Sequence, residues 1–522
     1  MPHPLRPRLL ALTDRLLAGL LVLIILGASI AFGGAVWWWR PVLAILTTLL
    51  VALGLFRLFL QGSWPLRKSP LPWLGALAIL LALAQLTPLP SALARRISSE
   101  SWSLHAKGVP SGRALVDDPS ADLPLPSARR TPLTVDRSAT LRWAIDAALC
   151  LALFLVVARF ADRLGHLYVV AGSVVAAFAI CTGVGLVQLL GGASGLFGLL
   201  VPGQSPFWAP SSADLLATPN VTALRLAGGA EGLSSPWAVS LPDRPFFIAS
   251  LMGGPGAYLA LGALGLPLAL TLALQLLAPR GSREGLRSRL QEGQLAGPVA
   301  LLLLATWLGA GLVGALAGPI LAVPFALGLL IVGLPGAWAS GLRWSAVGLT
   351  VLAVSSLGLG VLLGQGLGRP AGVSPLADPA GYAEMRRLWA EAVVIVRDFP
   401  LLGSGLGTFS IVFPSYKSAD ASPSTAWSSL LQWLVEAGLA GAFLLVLALG
   451  WCLIRLKKSW RKVGSADRAL ASGLIGVATC FILSSLIHWT IQLPAVAIAA
   501  SAFAGLWDRW LAGGTDLFVE RT

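Results

Sequence analysis

Charged side chains are scarce in this sequence, which is 522 residues long. Asp, Glu, Lys and Arg make up 11% of it, whereas about a quarter of a soluble globular domain is charged. The hydrophobic fraction is 56%, and the mean hydropathy is +0.80. This balance excludes a soluble globular protein. It predicts an all-α integral membrane protein, because the chain contains apolar runs long enough to cross a bilayer as helices.

Residues that bind metals or nucleotides are also few. The chain has four His, which are dispersed, and four Cys, which all lie in apolar runs. It has no H-E-x-x-H or C-x-x-C motif, no G-x-x-x-x-G-K loop, and no D-x-D pair that could hold a divalent ion against a nucleotide. We therefore expect no metal site and no cofactor. The missing nucleotide-binding motifs argue against ATP-driven transport and against nucleotide-sugar chemistry.

Apolar runs recur along the whole chain, and about twelve of them have the roughly 20 residues that a membrane-spanning helix needs. Their approximate positions are 17–37, 41–61, 69–88, 141–160, 167–190, 247–278, 298–316, 319–337, 344–366, 428–454, 469–487 and 491–512. The sequence therefore predicts a single polytopic membrane domain over residues 17–512.

The positions of Lys and Arg indicate the orientation, because short cytoplasmic loops retain positive charge. Counted from a cytoplasmic N-terminus, the inner loops hold Arg6, Arg8, Arg67, Lys68, Arg159, Arg163, Arg280, Arg283, Arg287, Arg289, Arg343, Lys457, Lys458, Arg461, Lys462 and Arg509. This pattern predicts a basic cytoplasmic N-terminus at 1–16 and a cytoplasmic tail at 513–522. Topology and anionic membrane lipids then account for most of the net charge of +14, so no nucleic-acid partner is expected. Arg57, near the inner end of its span, is interpreted as a snorkelling side chain.

Three long loops fall on the opposite, extracytoplasmic side, at about 89–140, 191–246 and 367–427. Loops of this length are usually functional. In the third loop, Asp378-Pro379 is a typical helix start, because Asp caps free N–H groups and Pro suits the first turn. Apolar residues then recur at three- and four-residue spacing, at Met385, Leu388, Trp389, Ala392, Val396 and Phe399. This face of an amphipathic helix should lie on the membrane surface or on the outer ends of the bundle.

Two arginines of this helix are candidates for binding an anion. Arg386 and Arg397 are eleven residues apart, so they are nearly aligned, and they border the apolar stripe. A guanidinium beside an apolar surface suits a lipid with a phosphate or pyrophosphate head. The alternative is an interfacial helix whose arginines touch ordinary lipid headgroups. Arg387 falls on the far side among acidic residues, where ordinary surface ion pairs are expected.

Two further features follow this helix. Residues 403–407 read Gly-Ser-Gly-Leu-Gly, which is either a turn whose N–H groups accept an anion or a flexible connection. Glu436 lies about two turns inside the next predicted helix, and an ionisable group at that depth indicates a functional site facing a polar cavity. The alternative is a Glu paired with a neighbouring helix.

The order of these motifs resembles the O-antigen ligase and O-antigen polymerase family, polytopic enzymes of the C-type glycosyltransferase class. The resemblance covers roughly residues 75 to 510. It rests on the arginine-tryptophan helix, the P-L-L-G-x-G-x-G run that begins at Pro400, and the E-A-G that begins at Glu436. Similar segments elsewhere are Gln85–Pro90, Pro132–Thr140, Pro245–Phe247, Gly256–Leu259 and Leu493–Ala495.

The resemblance implies transfer of a glycan from an undecaprenyl-diphosphate carrier to an extracytoplasmic acceptor. The acceptor would be a lipid, a growing polysaccharide or a protein, in envelope polysaccharide biosynthesis at the bacterial inner membrane. It implies no metal and no nucleotide, because the diphosphate lipid is already an activated leaving group. Arginines would stabilise its charge as the sugar leaves.

The chain also departs from the family pattern. Trp427 stands where members usually have a His, and Leu308 stands where an Arg is expected. A divergent transferase would then use Glu436 as the catalytic base, with Arg386, Arg397 and Lys417 on the diphosphate and with Arg387 and Trp427 as further substrate-binding candidates. Two alternatives stay open, namely a non-catalytic protein that binds lipid-linked glycan and a transporter or flippase of polysaccharide intermediates.

Overall fold

A computed structural model of the protein describes residues 5–31, 39–62, 69–106, 130–191, 255–277, 296–339, 343–366, 379–418, 425–463, 468–488 and 491–513. The tail at 514–522 and nearly all of the predicted loop at 191–246 lie outside these ranges.

Helices dominate the described ranges. They are α1 (Leu5–Ile30), α2 (Trp39–Gln61), α3 (Leu71–Leu86), α4 (Ser91–Ile97), α5 (Ser99–Ala106), α6 (Arg137–Phe160), α7 (Leu164–Gly191), α8 (Pro255–Leu277), α9 (Ala296–Ala339), α10 (Arg343–Gly366), α11 (Pro379–Asp398), α12 (Phe409–Val412), α13 (Ser429–Trp460), α14 (Arg468–Ile487) and α15 (Pro494–Gly513). A 3-10 turn at Phe413–Ser415 follows α12, and an antiparallel pair of two-residue strands, β1 (Leu89–Pro90) and β2 (Arg130–Thr131), is the only sheet within these residues.

Nine of the described helices are long and apolar enough to cross a membrane. The protein is therefore a multi-pass, all-α membrane protein. Three differences separate this number from the predicted twelve. The predicted spans 298–316 and 319–337 both lie within α9, as two helices on either side of the non-helical residue Gly318 (φ 70°, ψ 177°), and α9 is counted once among the nine. Helix α3 has 16 residues and is shorter than a full span, and α15 is not among the nine.

Helix α8 forms the centre of the bundle. It packs against α7, α9, α14 and α15, and its membrane-spanning window is buried throughout. A helix that is apolar on all sides suits such a position, because every face is covered by another helix. The hydroxyl of Tyr258 near its start is bonded to Thr182 Oγ1 on α7 over 2.9 Å, which satisfies both buried hydroxyls.

Arg57 corrects the prediction of a snorkelling side chain. It is 4% exposed, and its guanidinium pairs with Asp14 on α1 at 2.6 Å and with Asp162 between α6 and α7 at 2.8 Å. Burial alone would raise the pKa of Asp162, but hydrogen bonds and charge from His166 and Arg57 lower it instead. The sequence-based interpretation was wrong because these partners lie 43 and 105 residues away along the chain.

A second layer covers the end of the bundle where α3 ends and α6 and α13 begin. We call it the loop end; it contains α4, α5, α11 and α12. Its own apolar core consists of Leu104, Val135, Leu388, Ala392, Ile395, Phe399, Phe409, Val412, Phe413, Ala426 and Val435. The apolar stripe predicted for α11 is confirmed. It packs against the end of the helical bundle.

Candidate functional site

The segment from Pro400 to Gly405 fills a break in α13. At Gly438 the backbone has φ 59° and ψ −154°, so the regular bonds from residues 439 and 440 back to 435 and 436 are not made. Instead, Leu439 and Ala440 donate their N–H groups to the carbonyls of Pro400 (2.8 Å) and Leu401 (3.0 Å). The freed carbonyls of Val435 and Glu436 accept from Ser404 (2.9 Å) and Gly405 (3.1 Å). The segment therefore replaces one turn of hydrogen bonds inside a membrane helix.

The carboxylate of Glu436 holds the next part of the same loop. Its Oε2 accepts from the N–H of Gly407 at 2.8 Å, and its Oε1 accepts from the N–H of Phe409 at 3.2 Å and from Gln432 Nε2 at 3.0 Å. The side chain is 4% exposed. The sequence suggested separately that the glycine-rich turn accepts an anion and that Glu436 is functional. The structure joins the two, because the anion that the turn accepts is the carboxylate of Glu436.

Gln85 completes this arrangement, and it was not among the predicted site residues. Its Nε2 donates to the carbonyls of Leu402 (2.6 Å) and Glu436 (3.0 Å), and its Oε1 accepts from the N–H of Leu406 at 3.0 Å. An amide that both donates and accepts is suited to joining two backbone segments. The signal was present in the sequence, because Gln85 is the one polar residue in a helix otherwise made of apolar residues and Gly and Pro.

The three candidate arginines of α11 are all exposed, whereas Glu436 is buried. Arg386 and Arg397 share one side of the helix with the exposed side chain of Val393, as the spacing predicts. Arg387 lies on another side, with its Nε 4.0 Å from Glu391, which confirms its predicted ion pair. No contact among the described residues joins Arg386 or Arg397 to the buried carboxylate of Glu436. The arginines and the proposed base therefore occupy different surroundings.

Lys417 and Trp427 lie on the two sides of a gap at 419–424 that is outside the described residues. Lys417 is half-buried beside Ser418, whose N–H donates to Glu391 on α11 at 3.1 Å. Trp427 is half-buried and has a φ of 54°, the only positive value for a non-glycine residue in the described ranges. Such a backbone conformation is uncommon for a bulky residue and occurs most often at turns and functional sites.

A buried His lies beside Trp427. The ring of His488, in the connection between α14 and α15, has its centroid 6.4 Å from that of Trp427, and His488 is 1% exposed. Its Nε2 lies 3.0 Å from the carbonyl of Gly256, and because a carbonyl can only accept, Nε2 carries the proton. Nothing in the linear spacing of the sequence indicates that His488 meets Trp427.

Polar side chains connect this His region to Glu436. Ser429 Oγ lies 3.2 Å from Gln492 Oε1, Gln492 Nε2 donates to Gln432 Oε1 at 3.3 Å, and Gln432 Nε2 donates to Glu436. The chain of amides joins α13 to the turn before α15. It fixes the start of α13 relative to the glycine-rich loop.

Acidification should weaken the fold through His488. Burial lowers its pKa to about 4, well below the usual value of about 6.5. Between these values the unfolded chain binds the proton more tightly, so stability falls as the pH drops from about 7 to 5, by about 2 kcal/mol from this residue. Thermal unfolding in detergent at both pH values measures the effect. In His488→Gln the pH dependence should be weaker by that amount, and an unchanged slope would contradict the assignment.

No group of three His, Cys, Asp or Glu side chains placed to hold a metal ion occurs among the described residues. The polar groups at the loop end can instead position backbone and present cations. The buried network makes a rigid support, and α11 carries its arginines on the outside of that support.

Comparisons with known proteins identify no family for this chain. No family model matches it, and neither a curated protein nor a solved structure is similar to it. The assignment to the O-antigen ligase and polymerase family therefore rests on the motifs alone and is a proposal.

Proposed function

We propose that this protein transfers a glycan from an undecaprenyl-diphosphate carrier to an extracytoplasmic acceptor, as O-antigen ligases and polysaccharide polymerases do. One observation supports the proposal above the others. Helix α11 is anchored to the loop end by a buried apolar face, while Arg386 and Arg397 are exposed along one side of it with Val393 between them. A cationic and apolar surface of this kind fits a ligand with a charged head and a hydrocarbon tail.

The spacing of the two arginines limits how they bind. Eleven residues of helix correspond to about 16 Å along the axis. Two guanidinium groups that start this far apart could meet at one phosphate only with both side chains fully extended toward each other, so separate contacts are favoured. We propose that one arginine binds the diphosphate and that the other binds the next part of the ligand or the headgroup of a neighbouring lipid.

Replacement of either arginine should therefore reduce glycan transfer independently. An arginine–phosphate hydrogen bond contributes roughly 1.5–3 kcal/mol, so Arg386→Ala and Arg397→Ala should each lower the rate by about 10- to 100-fold. Because the positions are more than about 10 Å apart, the double variant should show the product of the two losses. The measurement is the amount of surface glycan in cells that carry each variant as the only copy.

Arg96→Ala is the matched control, because Arg96 is an exposed arginine on α4 at the same end of the bundle. It should leave the glycan unchanged. Variants are compared at equal amounts of inserted protein. Wild-type glycan in the double variant would overturn the role of α11, and equal losses in the double variant and in Arg96→Ala would indicate a general loss of surface charge.

A second candidate is a non-catalytic protein that binds lipid-linked glycan. It is favoured by the state of Glu436, the proposed base, whose two oxygens accept three hydrogen bonds within the protein. Glu436 is also only 4% exposed, so an acceptor hydroxyl would have to reach a buried oxygen before it could give up its proton. Binding without transfer requires no such access.

The proposed function also requires a particular topology. We propose about twelve crossings of the bacterial inner membrane, with both ends of the chain cytoplasmic and the loop end outside. Under this topology the partners are the undecaprenyl-diphosphate-linked glycan, a lipid or polysaccharide acceptor, and the surrounding membrane lipids. The positive charge of the short connections at the opposite end supports this orientation.

A further inference from the structure

A groove lies at the end of the bundle opposite the loop end, between the last turns of α13 and the middle of α14. Its volume is about 360 Å³, and it is lined by Leu453, Leu456, Lys457, Trp460, Arg461 and Ile475. The proposed glycan chemistry does not involve it.

The lining of this groove changes in character along α13. Leu453 and Leu456 provide apolar walls, with Ile475 of α14 opposite, whereas Lys457 and Arg461 are exposed near the end of the helix. From Leu453 to Arg461 the helix rises by about 12 Å. One end of the groove thus offers hydrocarbon and the other offers positive charge, and Trp460 lies where membrane proteins place interfacial aromatics.

Four basic residues at the end of α13 have no acidic partner in the described part of the chain. Lys457, Lys458, Arg461 and Lys462 occur within six residues, and none of them forms an ion pair with a described residue. By contrast, the charge of Arg57 at the same end is matched by Asp14 and Asp162. As far as the described residues go, the groove therefore presents positive charge without a paired carboxylate, beside an apolar surface.

We propose that this groove binds one anionic phospholipid, with the phosphate between Lys457 and Arg461 and an acyl chain along Leu453, Leu456 and Ile475. The charge excludes a zwitterionic lipid as the preferred occupant, and the apolar floor distinguishes the site from a free phosphate site. Basic pockets between membrane helices commonly bind anionic headgroups, and each cation near the surface contributes attraction. The orientation predicted from Lys and Arg would place this lipid in the cytoplasmic leaflet.

Native mass spectrometry of the purified protein with added phosphatidylglycerol or phosphatidylcholine tests the proposal. Wild-type protein should retain phosphatidylglycerol in preference to phosphatidylcholine. The double variant Lys457→Gln with Arg461→Gln should bind phosphatidylglycerol about thirtyfold more weakly. Both side chains replaced in this double variant are exposed, so it should fold as the wild type does.

The matched control is Lys458→Gln with Lys462→Gln, which removes the same charge from neighbouring residues that do not line the groove. It should weaken binding by less than about threefold, through the general field alone. Equal losses in the two double variants would show diffuse attraction and overturn the site. Ile475→Trp fills the groove without a change in charge and should also weaken binding, and full retention in that variant would place the lipid elsewhere.

Discussion

Gly403→Ala should prevent the loop end from assembling. Gly403 has a φ of 72°, and a Cβ at this position would lie 2.3 Å from the carbonyl carbon and oxygen of Glu436. Both atoms belong to the backbone of α13 at its break, so they cannot rotate away. The left-handed conformation costs an L-residue roughly 1–2 kcal/mol, and overpacking adds roughly 1–3. We expect a loss of about 2–5 kcal/mol in stability, measured as a lower midpoint of thermal unfolding in detergent.

Gly450→Ala is the control for this prediction. Gly450 lies in the same helix, α13, and a Cβ there would meet nothing within 4 Å. Because Ala favours a helix over Gly, this variant should unfold at or above the wild-type midpoint. If Gly403→Ala and Gly450→Ala unfold at the same temperature, the segment from Pro400 to Gly405 does not pack into the break of α13.

Glu436→Ala should be at least as damaging as Gly403→Ala, because it removes the acceptor for three buried donors. The N–H groups of Gly407 and Phe409 and the amide of Gln432 would be left without this partner, at roughly 1–3 kcal/mol each. Glu436→Gln keeps one acceptor oxygen but turns an N–H₂ group toward a donor, so a smaller loss of about 1–3 kcal/mol is expected. Unfolding midpoints of the two variants should follow this order.

Glu384→Gln provides the comparison, since Glu384 is an exposed carboxylate on α11. Glu384→Gln should unfold like the wild type, and an identical midpoint for Glu436→Gln would contradict the anchoring role of Glu436.

The variant Glu436→Gln also distinguishes the transferase from the non-catalytic binding protein. If folded Glu436→Gln binds lipid-linked glycan but transfers none, Glu436 acts as the base; wild-type transfer per folded molecule would remove that role.

Much of the fold follows from local patterns in the sequence. Hydrophobic length located the helices, and the spacing of Met385, Leu388 and Ala392 predicted which face of α11 is buried. The number of crossings was harder to predict, because α9 contains two helices that are separated only by the non-helical residue Gly318 and because α3 is short. Backbone geometry at a single glycine cannot be read from hydrophobicity.

The buried network at the loop end shows where sequence reasoning fails. Gln85 lies 351 residues from Glu436 along the chain, and its three hydrogen bonds become apparent only when α3 and α13 are in contact. Arg57 was misinterpreted for the same reason. The exposed arginines of α11 were predicted well, because their position relative to the apolar face depends only on helical periodicity.

The role of α11 in binding the lipid carrier is tested by the binding of undecaprenyl diphosphate to purified protein in lipid nanodiscs, with uncharged undecaprenol as the reference ligand. Wild-type protein and Arg96→Ala should prefer the diphosphate. The double variant Arg386→Ala with Arg397→Ala should lose this preference by at least about tenfold. Undiminished preference for the diphosphate in the double variant would contradict the claim that the exposed side of α11 binds the lipid carrier.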